Sequence, residues 1–372
     1  MAVISNKISR KEWDSALGEA GANGTIFQST YWADYLSETF GDRPIYVASF
    51  DKRGEIRALL LAFESCFAAH PMAILLGKRG QLLGGTYAHV LSPLFHKLVP
   101  FTFWENGPII LPGTSGETSS RLLYEEVIKE TVIYAQKRGC YEIKFARPPF
   151  FEDDAVVWSS LGFQRKRMGT VLVGVEDLVE ALWKRIDYKA RRNIEKNKAD
   201  LSVIEISKPD QLADFHEMHV QSTRRTGMKH YPLSFFRSLW RFLFPNDRIV
   251  GFIAYFRDEP VGGSISLVYN RVVHEYVHCD SDYSRQNRLY PLDCLKWHTI
   301  KWAHEHNLEY FDLSGVELHK IDAGDQKAIN IYRFKSKWGG KLVEYHDYAL
   351  KLRDKKLVKF LNRFMVDSII HN

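Results

Sequence analysis

Lys335 lies in Tyr332-Arg-Phe-Lys-Ser-Lys-Trp-Gly-Gly340, where three basic residues alternate with aromatic ones ahead of two glycines. A lysine so placed suits two tasks. It can hold a phosphate, or it can stabilise the negative charge that develops on a carbonyl oxygen during acyl transfer. The same pattern also suits a surface strand with its aromatics packed inward. A second cluster is Ser284-Arg-Gln-Asn-Arg-Leu-Tyr-Pro291. Arg285 and Arg288 suit charge-assisted contact with phosphate, and equally a solvated basic loop. A third is the stretch 184–198, with seven Lys or Arg in 15 residues. It lies in a basic helix read over 178–198, which either faces solvent or meets a phosphate-rich partner. His274-Glu-Tyr-Val-His278 has the H-E-x-x-H spacing that chelates zinc on a helix. Its β-branched and aromatic neighbours favour a strand, where residues four apart are roughly 13 Å apart, too far for one ion. His216 and His219 share a predicted helix but have no third ligand, so no metal is expected.

The elements that must position these residues form a unit stated twice. Residues 45–51 and 56–63 read as a β-hairpin around Lys-Arg-Gly-Glu, and 249–256 and 261–268 read as another around Arg-Asp-Glu-Pro. Each is followed by a helical pattern that feeds a strand: 122–137 then 140–145, and 292–305 then 308–313. Leu161-Gly-Phe163 closes the first copy and Lys337-Trp-Gly-Gly340 the second. Such a repeat places ligands at or between two similar domains. Residues to about 42 read as helical, with Ser29 or Thr30 capping a helix from Thr30 to Thr39. Residues 64–118, rich in Gly and Pro, read as strands joined by functional loops. Thr170–Val175 reads as a strand, and 210–225 and 233–244 as helices. The predicted division is 1–165, 166–349 and a tail, 350–372. The tail is a basic amphipathic helix suited to docking on its own domain or to an anionic bilayer.

Composition limits the function classes. With 372 residues, 45% hydrophobic and 26% charged, the chain reads as two folded domains rather than a disordered one. A net charge of +6 leans mildly toward anionic partners. The four cysteines form no C-x-x-C pair, which suits a reducing compartment and argues against zinc. The N-terminus has no long apolar core and no window reaches membrane-spanning length, so a cytoplasmic protein is expected.

The order helices, hairpin, helix, strand, final strand matches an α/β acyltransferase fold of the GNAT type, here as two tandem copies. Each copy would be a mixed, mostly antiparallel sheet flanked by helices. Enzymes of that fold that use acetyl-CoA carry a glycine-rich turn for the pyrophosphate, since small residues let backbone N–H groups approach it. Residues 284–291 hold that place without a glycine, and Gln81-Leu-Leu-Gly-Gly-Thr86 is only a partial match.

Five segments resemble the FemAB (FemABX-type) peptidyltransferase family. They are Phe27-Gln-Ser-Thr-Tyr-Trp32; Glu180–Arg185 with Arg191-Arg-Asn-Ile194; Thr223-Arg-Arg-Thr-Gly227 with Tyr231; Tyr310–Gly315; and Ile331–Gly340. The resemblance spans nearly the whole chain, and Phe-Lys-x-x-x-Gly is its most specific piece. It implies tandem GNAT-like domains and amide-bond formation on a cell-envelope precursor, with an aminoacyl-tRNA ester as donor and no bound cofactor. It implies that Lys335 sits at the substrate diphosphate and reaction centre, with Phe334 shaping the channel. Arg225, Arg288, Tyr290, Tyr231, Arg191, Arg192 and Trp32 are the weaker substrate-binding candidates. Chemistry would lean on the second copy and acceptor recognition on the first. A lysine common after the tryptophan motif is replaced by Tyr35-Leu36, and no heptad arm for tRNA is present, so the acceptor stays open between peptidoglycan and polysaccharide precursors. Two other readings remain: an acyl-CoA-dependent N-acetyltransferase of amino sugars or small amines, and a non-catalytic binder of nucleic acid or anionic lipid through 184–198 and the tail. Stable DNA binding is not expected.

Overall fold

The computed structural model describes residues 2–4, 8–66, 97, 100–112, 117–146, 155–197, 200–228 and 230–353. Most of the Gly-rich stretch after Cys66, the partial glycine match at 81–86 and nearly all of the amphipathic tail lie outside these residues. The described chain forms two compact units. The first takes residues up to 23, 27–166 and those from His346 onward; the second takes 24–26 and 167–345.

The first unit opens with strand β1 (Ala2–Ile4), helix α1 (Arg10–Glu19) and helix α2 (Thr30–Phe40). Ser29 caps α2 by accepting from the Trp32 amide, and Gly41 ends it at φ 75, where a residue without Cβ is unstrained. Then come β2 (Arg43–Phe50), β3 (Ile56–Cys66), β4 (Pro100–Trp104), β5 (Ile109–Ile110), α3 (Glu117–Lys137), β6 (Glu142–Ala146) and α4 (Ala155–Ser160). The sheet order is β1-β2-β3-β4-β6, and residues 347–351 of the last strand of the chain pair with β6. β2 and β3 form the expected hairpin, while β4 and β6 run parallel. Their apolar faces meet α3 in a core that includes Val47, Leu60, Trp104, Val127, Ile128 and Phe145.

The second unit runs β7 (Gln164–Gly174, the unit taking it from Arg167), α5 (Val179–Arg185), α6 (Tyr188–Asn197), β8 (Leu201–Glu205), α7 (Gln211–Thr226), α8 (Leu233–Leu243), β9 (Ile249–Phe256), β10 (Glu259–Tyr269), β11 (Val272–Asp280), α9 (Asp282–Gln286), α10 (Pro291–Glu305), β12 (Tyr310–Val316), α11 (Leu318–Asp322), α12 (Gln326–Ser336) and β13 (Lys341–Lys351, up to Tyr345 here). The order β7-β12-β11-β10-β9-β8 is antiparallel in its described pairings except for β11 with β12. Arg257 and Asp258, at φ 49 and 69, make the two-residue turn of the β9–β10 hairpin, which requires the left-handed region at both positions. Each unit is thus a mostly antiparallel sheet with helices and one parallel pair, as the tandem reading expects.

Two local expectations need correction. The single basic helix expected over 178–198 is, over its described residues, two helices, Val179–Arg185 and Tyr188–Asn197, broken at Ile186-Asp187. Asp187 accepts from the Lys189 amide at 2.8 Å through its side chain and donates its own amide to the Lys337 carbonyl at 2.8 Å. An aspartate that turns its side chain onto the next amides caps a new helix rather than continuing the old one. The segment Tyr332–Ser336 is the end of α12, not a strand, so Lys335 projects from a helix. Gly339 and Gly340 follow because the chain passes too close for side chains. A Cβ at Gly339 would lie 2.5 Å from Arg185 Cβ, and one at Gly340 would lie 2.7 Å from the Leu172 carbonyl oxygen. Among the described residues no helix is long and apolar enough to cross a membrane, and Cys66, Cys140, Cys279 and Cys294 are free thiols.

Candidate functional site

The parallel strands β11 and β12 pair at only three positions: Val272 with Tyr310, Val273 with Phe311 and His274 with Asp312. Both then continue apart, to Asp280 and Val316. A parallel pair that separates leaves a crevice at its carboxyl ends, where α/β sheets commonly take ligands.

Each strand carries an irregularity at this point. Along β10, Ile265 faces Val277 and Ser266 faces Glu275, so Tyr276 is an extra residue in β11. Along β12, Asp312 faces Leu172 and Gly315 faces Thr170, so Leu313 and Ser314 oppose Val171 alone. Ser314 takes φ 63 to make the fit. A bulge re-aims the side chains beyond it. Glu275 and His278, three apart, would point to opposite faces of a regular strand. With Tyr276 bulged they point to the same one.

Glycines on β10 identify that face. A Cβ on Gly262 would meet Pro291 and Leu295 of α10, and one on Gly263 would meet Phe215 and Met218 of α7. Gly262, Ser264 and Ser266 therefore face α10, and so do their partners Asp280, His278 and Glu275. Cys279 faces the other way, toward the Phe215 carbonyl, as does Tyr276, whose ring lies parallel to that of Phe235.

On the α10 face the Glu275 carboxylate contacts Lys296 Nζ and accepts from His278 Nδ1 at 2.9 Å. The Glu275 and Lys296 side chains are only 5% and 4% exposed. From α12, Lys335 reaches into the crevice and donates from Nζ to the Gly315 carbonyl at 2.9 Å. Asp312 accepts from His274 Nδ1 at 2.9 Å, from the Ser314 amide at 2.8 Å and from the Thr170 hydroxyl. The Ser314 hydroxyl donates to the Glu275 carbonyl. The H-E-x-x-H residues thus lie on a strand with carboxylate partners. Among the described residues no three His, Cys, Asp or Glu side chains are placed to hold one ion.

Burial sets the electrostatics. It lowers Lys335 to about 8, against the attraction of Asp312. It lowers His278 to about 4, aided by the nearby Lys335 cation and opposed by Asp280. Burial and Lys335 likewise hold Lys296 well below an ordinary lysine. Burial pushes Asp312 up, but His274, Thr170 and the Ser314 amide outweigh it, so its carboxyl stays low.

Next to this cluster is a polar cavity of about 580 Å³, lined by Arg285, Arg288, Tyr290, Asn193, Phe334 and Lys337 among others. Arg285 is held by Asp280 at 2.8 Å. Lys196 donates to the Arg288 carbonyl at 3.3 Å and lies 5.5 Å from the centre of the Tyr290 ring. Asn193 donates to Asp293 at 2.7 Å, and burial raises that carboxyl. Arg285, Arg288 and Lys337 line the cavity together with Asp280 and Asp293, and three cations in one polar lining suit a phosphate.

The structure brings Lys335, Phe334, Arg288 and Tyr290 to this region and leaves the other candidates elsewhere. Arg225 does not line the cavity. It is tied to Asp280 and Asp282, with a 2.7 Å bond to the Asp280 carbonyl, so it braces the strand that holds Arg285. Tyr231 stacks on Phe235 at 4.2 Å and donates its amide to His219 Nε2 at 3.1 Å, in an aromatic cluster between α7 and α8. Arg191 and Arg192 share α6 with Asn193, but only Asn193 reaches the cavity. Trp32 is 2% exposed in the first unit, packed on Phe27 and Tyr35. Reasoning from sequence missed Glu275, His278 and Lys296 as a group, because a bulge brings the first two together and a packed helix supplies the third.

Residues 183–335 match the family described as the acetyltransferase (GNAT) domain. Among solved structures, FemX covers 98% of this chain and 99% of its own at TM-score 0.70 and 14% identity. The C-terminal domain of a putative lysylphosphatidylglycerol synthetase from Agrobacterium fabrum covers 91% and 90% at TM-score 0.55 and 10% identity. A tandem GNAT protein from the clavulanic acid biosynthesis pathway covers 96% and 99% at TM-score 0.53 and 9% identity. No curated protein matches the sequence. The chain has the tandem GNAT fold, and its second unit carries the recognisable GNAT acyltransferase domain.

Proposed function

We propose that this tandem GNAT chain, with the FemX-like fold, is an acyltransferase that forms an amide bond on a phosphate-bearing cell-envelope precursor. The buried Lys335 carries the reading. A helix places its ammonium where β11 and β12 separate, next to a cavity whose lining includes Arg285, Arg288 and Lys337. A cation held in a low-dielectric crevice stabilises the oxyanion formed when an amine attacks an ester carbonyl. The remaining rate enhancement comes from holding amine and ester together. The name of the lysylphosphatidylglycerol synthetase, with its lysyl group and phospholipid, supports an aminoacyl donor and an envelope acceptor, in line with the FemAB resemblance of the sequence.

An aminoacyl-tRNA ester is favoured over acyl-CoA. The loop before α10 has no glycine, and Pro291 takes the first position of that helix, where it offers no N–H to a pyrophosphate. The acyl-CoA reading rests on the acetyltransferase family match. A donor comparison decides between them. Charged tRNAs and acetyl-CoA are each supplied with a lysine-containing muramyl pentapeptide nucleotide or with glucosamine. Amide formation from charged tRNA alone is the expected result. Tight acetyl-CoA binding with acetyl transfer to glucosamine overturns the donor assignment, and no transfer from any donor overturns the enzyme reading.

A further inference from the structure

We propose that His278, oriented by Glu275, is the base that takes the proton from the attacking amine, a role that rests on the acyl-transfer reading above. Five observations carry it. The Tyr276 bulge puts both side chains on the α10 face. The carboxylate occupies Nδ1 at 2.9 Å, so Nδ1 carries the hydrogen and Nε2 keeps its lone pair. The imidazole is 34% exposed, whereas Glu275 is 5% exposed, so the ring is reachable and its anchor is not. Its centre lies 6.1 Å from that of Phe334, beside Lys335 on the same helix. Directly across β10, the Ser264 hydroxyl is buried without a hydrogen-bond partner among the described residues, on the face that His278 shares.

The step balances. The amine lone pair forms the C–N bond as the ester carbonyl becomes an oxyanion held by Lys335. The nitrogen grows acidic as that bond forms, and its proton passes to Nε2. The C–O bond to the leaving group then breaks, and the imidazolium returns the proton to the departing oxygen. The products are amide and alcohol. The charged groups near the ring are Glu275 and Asp280 on its own strand, Lys335 from α12, and Lys296 of α10 on the shared Glu275 carboxylate. Burial, and after it the Lys335 cation, favour the neutral imidazole, which is the form that accepts a proton, and Asp280 opposes them.

The test pairs kinetics with tautomer state. His278→Gln should lower kcat at least about 100-fold, with the KM for the tRNA donor within about twofold of wild type. The loss should shrink with rising pH, as solvent base takes over. Histidine ring-nitrogen chemical shifts should show wild-type His278 protonated at Nδ1 and bare at Nε2 at neutral pH. Glu275→Gln should scramble that preference, and where it folds poorly, Glu275→Gln with Lys296→Met removes both members of the buried pair together. An Nε2-protonated wild-type ring, or unchanged kcat in His278→Gln, overturns the assignment. Absence of transfer by the wild type overturns the acyltransferase reading instead, and the tautomer still decides whether the dyad is assembled.

Discussion

The two units share a plan and fill it differently. Each has a hairpin, a helix and a parallel strand pair that engages at three positions: 102–104 with 143–145 in one, 272–274 with 310–312 in the other. In the first, the end of the pair opens on a cavity of about 670 Å³ whose lining includes Phe101, Phe103, Trp104, Phe145 and Tyr348. In the second it opens on Glu275, His278, Lys296 and Lys335. Buried charge follows the same division. In the first unit the Glu64 carboxylate is fully buried, and it accepts from Arg138 at 2.8 Å, Arg43 at 3.0 Å and Tyr134 at 3.0 Å. Burial pushes that carboxyl up, but these partners outweigh it and hold it low. Its charge is satisfied and structural. In the second unit the Lys335 ammonium donates to one carbonyl among the described residues, and burial lowers its proton affinity. One fold can therefore serve as a frame or as a reaction centre, depending on what the bulges and helices bring to the split.

Four substitutions probe that contrast. Glu64→Ala removes the buried acceptor shared by Arg138, Arg43 and Tyr134 and, since both arginines can turn to solvent, should cost about 1–3 kcal/mol of stability by denaturant unfolding, with kcat per folded molecule unchanged. The sign with pH follows. A carboxyl depressed in the fold contributes stability above its unfolded value, and that contribution is lost as pH falls through the folded one. Wild type should therefore be more acid-sensitive than Glu64→Gln. Next, Lys335→Met should lower kcat about 100- to 1,000-fold. It should also raise Tm at neutral pH, because the buried ammonium is destabilising there. From about pH 8 upward the unfolded chain binds the extra proton, so wild-type stability rises with pH and the advantage of Lys335→Met shrinks. A lysine with a purely structural role would lower Tm on removal. Third, Arg288→Ala should raise the KM for a phosphate-bearing substrate about tenfold and flatten its salt dependence, with a smaller effect on kcat. Last, Arg192→Ala should change turnover less than about twofold, since this exposed side chain does not line the cavity.

Much of the frame was legible. Apolar runs rich in β-branched and aromatic residues on each side of Arg257-Asp258, and the 3.6-residue pattern of α10, indicate hairpin and helix before any coordinates. The Lys335 motif was legible as chemistry but not as geometry, because alternating aromatics fit the last turn of a helix as well as a strand. The break at Ile186-Asp187 had a signal, an aspartate before a new helix, that the density of positive charge obscured. The bulge at Tyr276 had none. A one-residue shift in pairing depends on the partner strand, so nothing in His274–His278 alone shows which side chains will meet. That is also why an H-E-x-x-H string here gives a Glu–His contact rather than a metal site.

The central claim is that the split between β11 and β12 is the acyl-transfer centre and that Lys335 acts there. Single-turnover amide formation from charged tRNA, measured for wild type and Lys335→Met at matched folded fraction, tests it most directly. A loss of at least about 100-fold in a variant that melts no lower than wild type is the predicted result. Amide formation at the wild-type rate by Lys335→Met would contradict it.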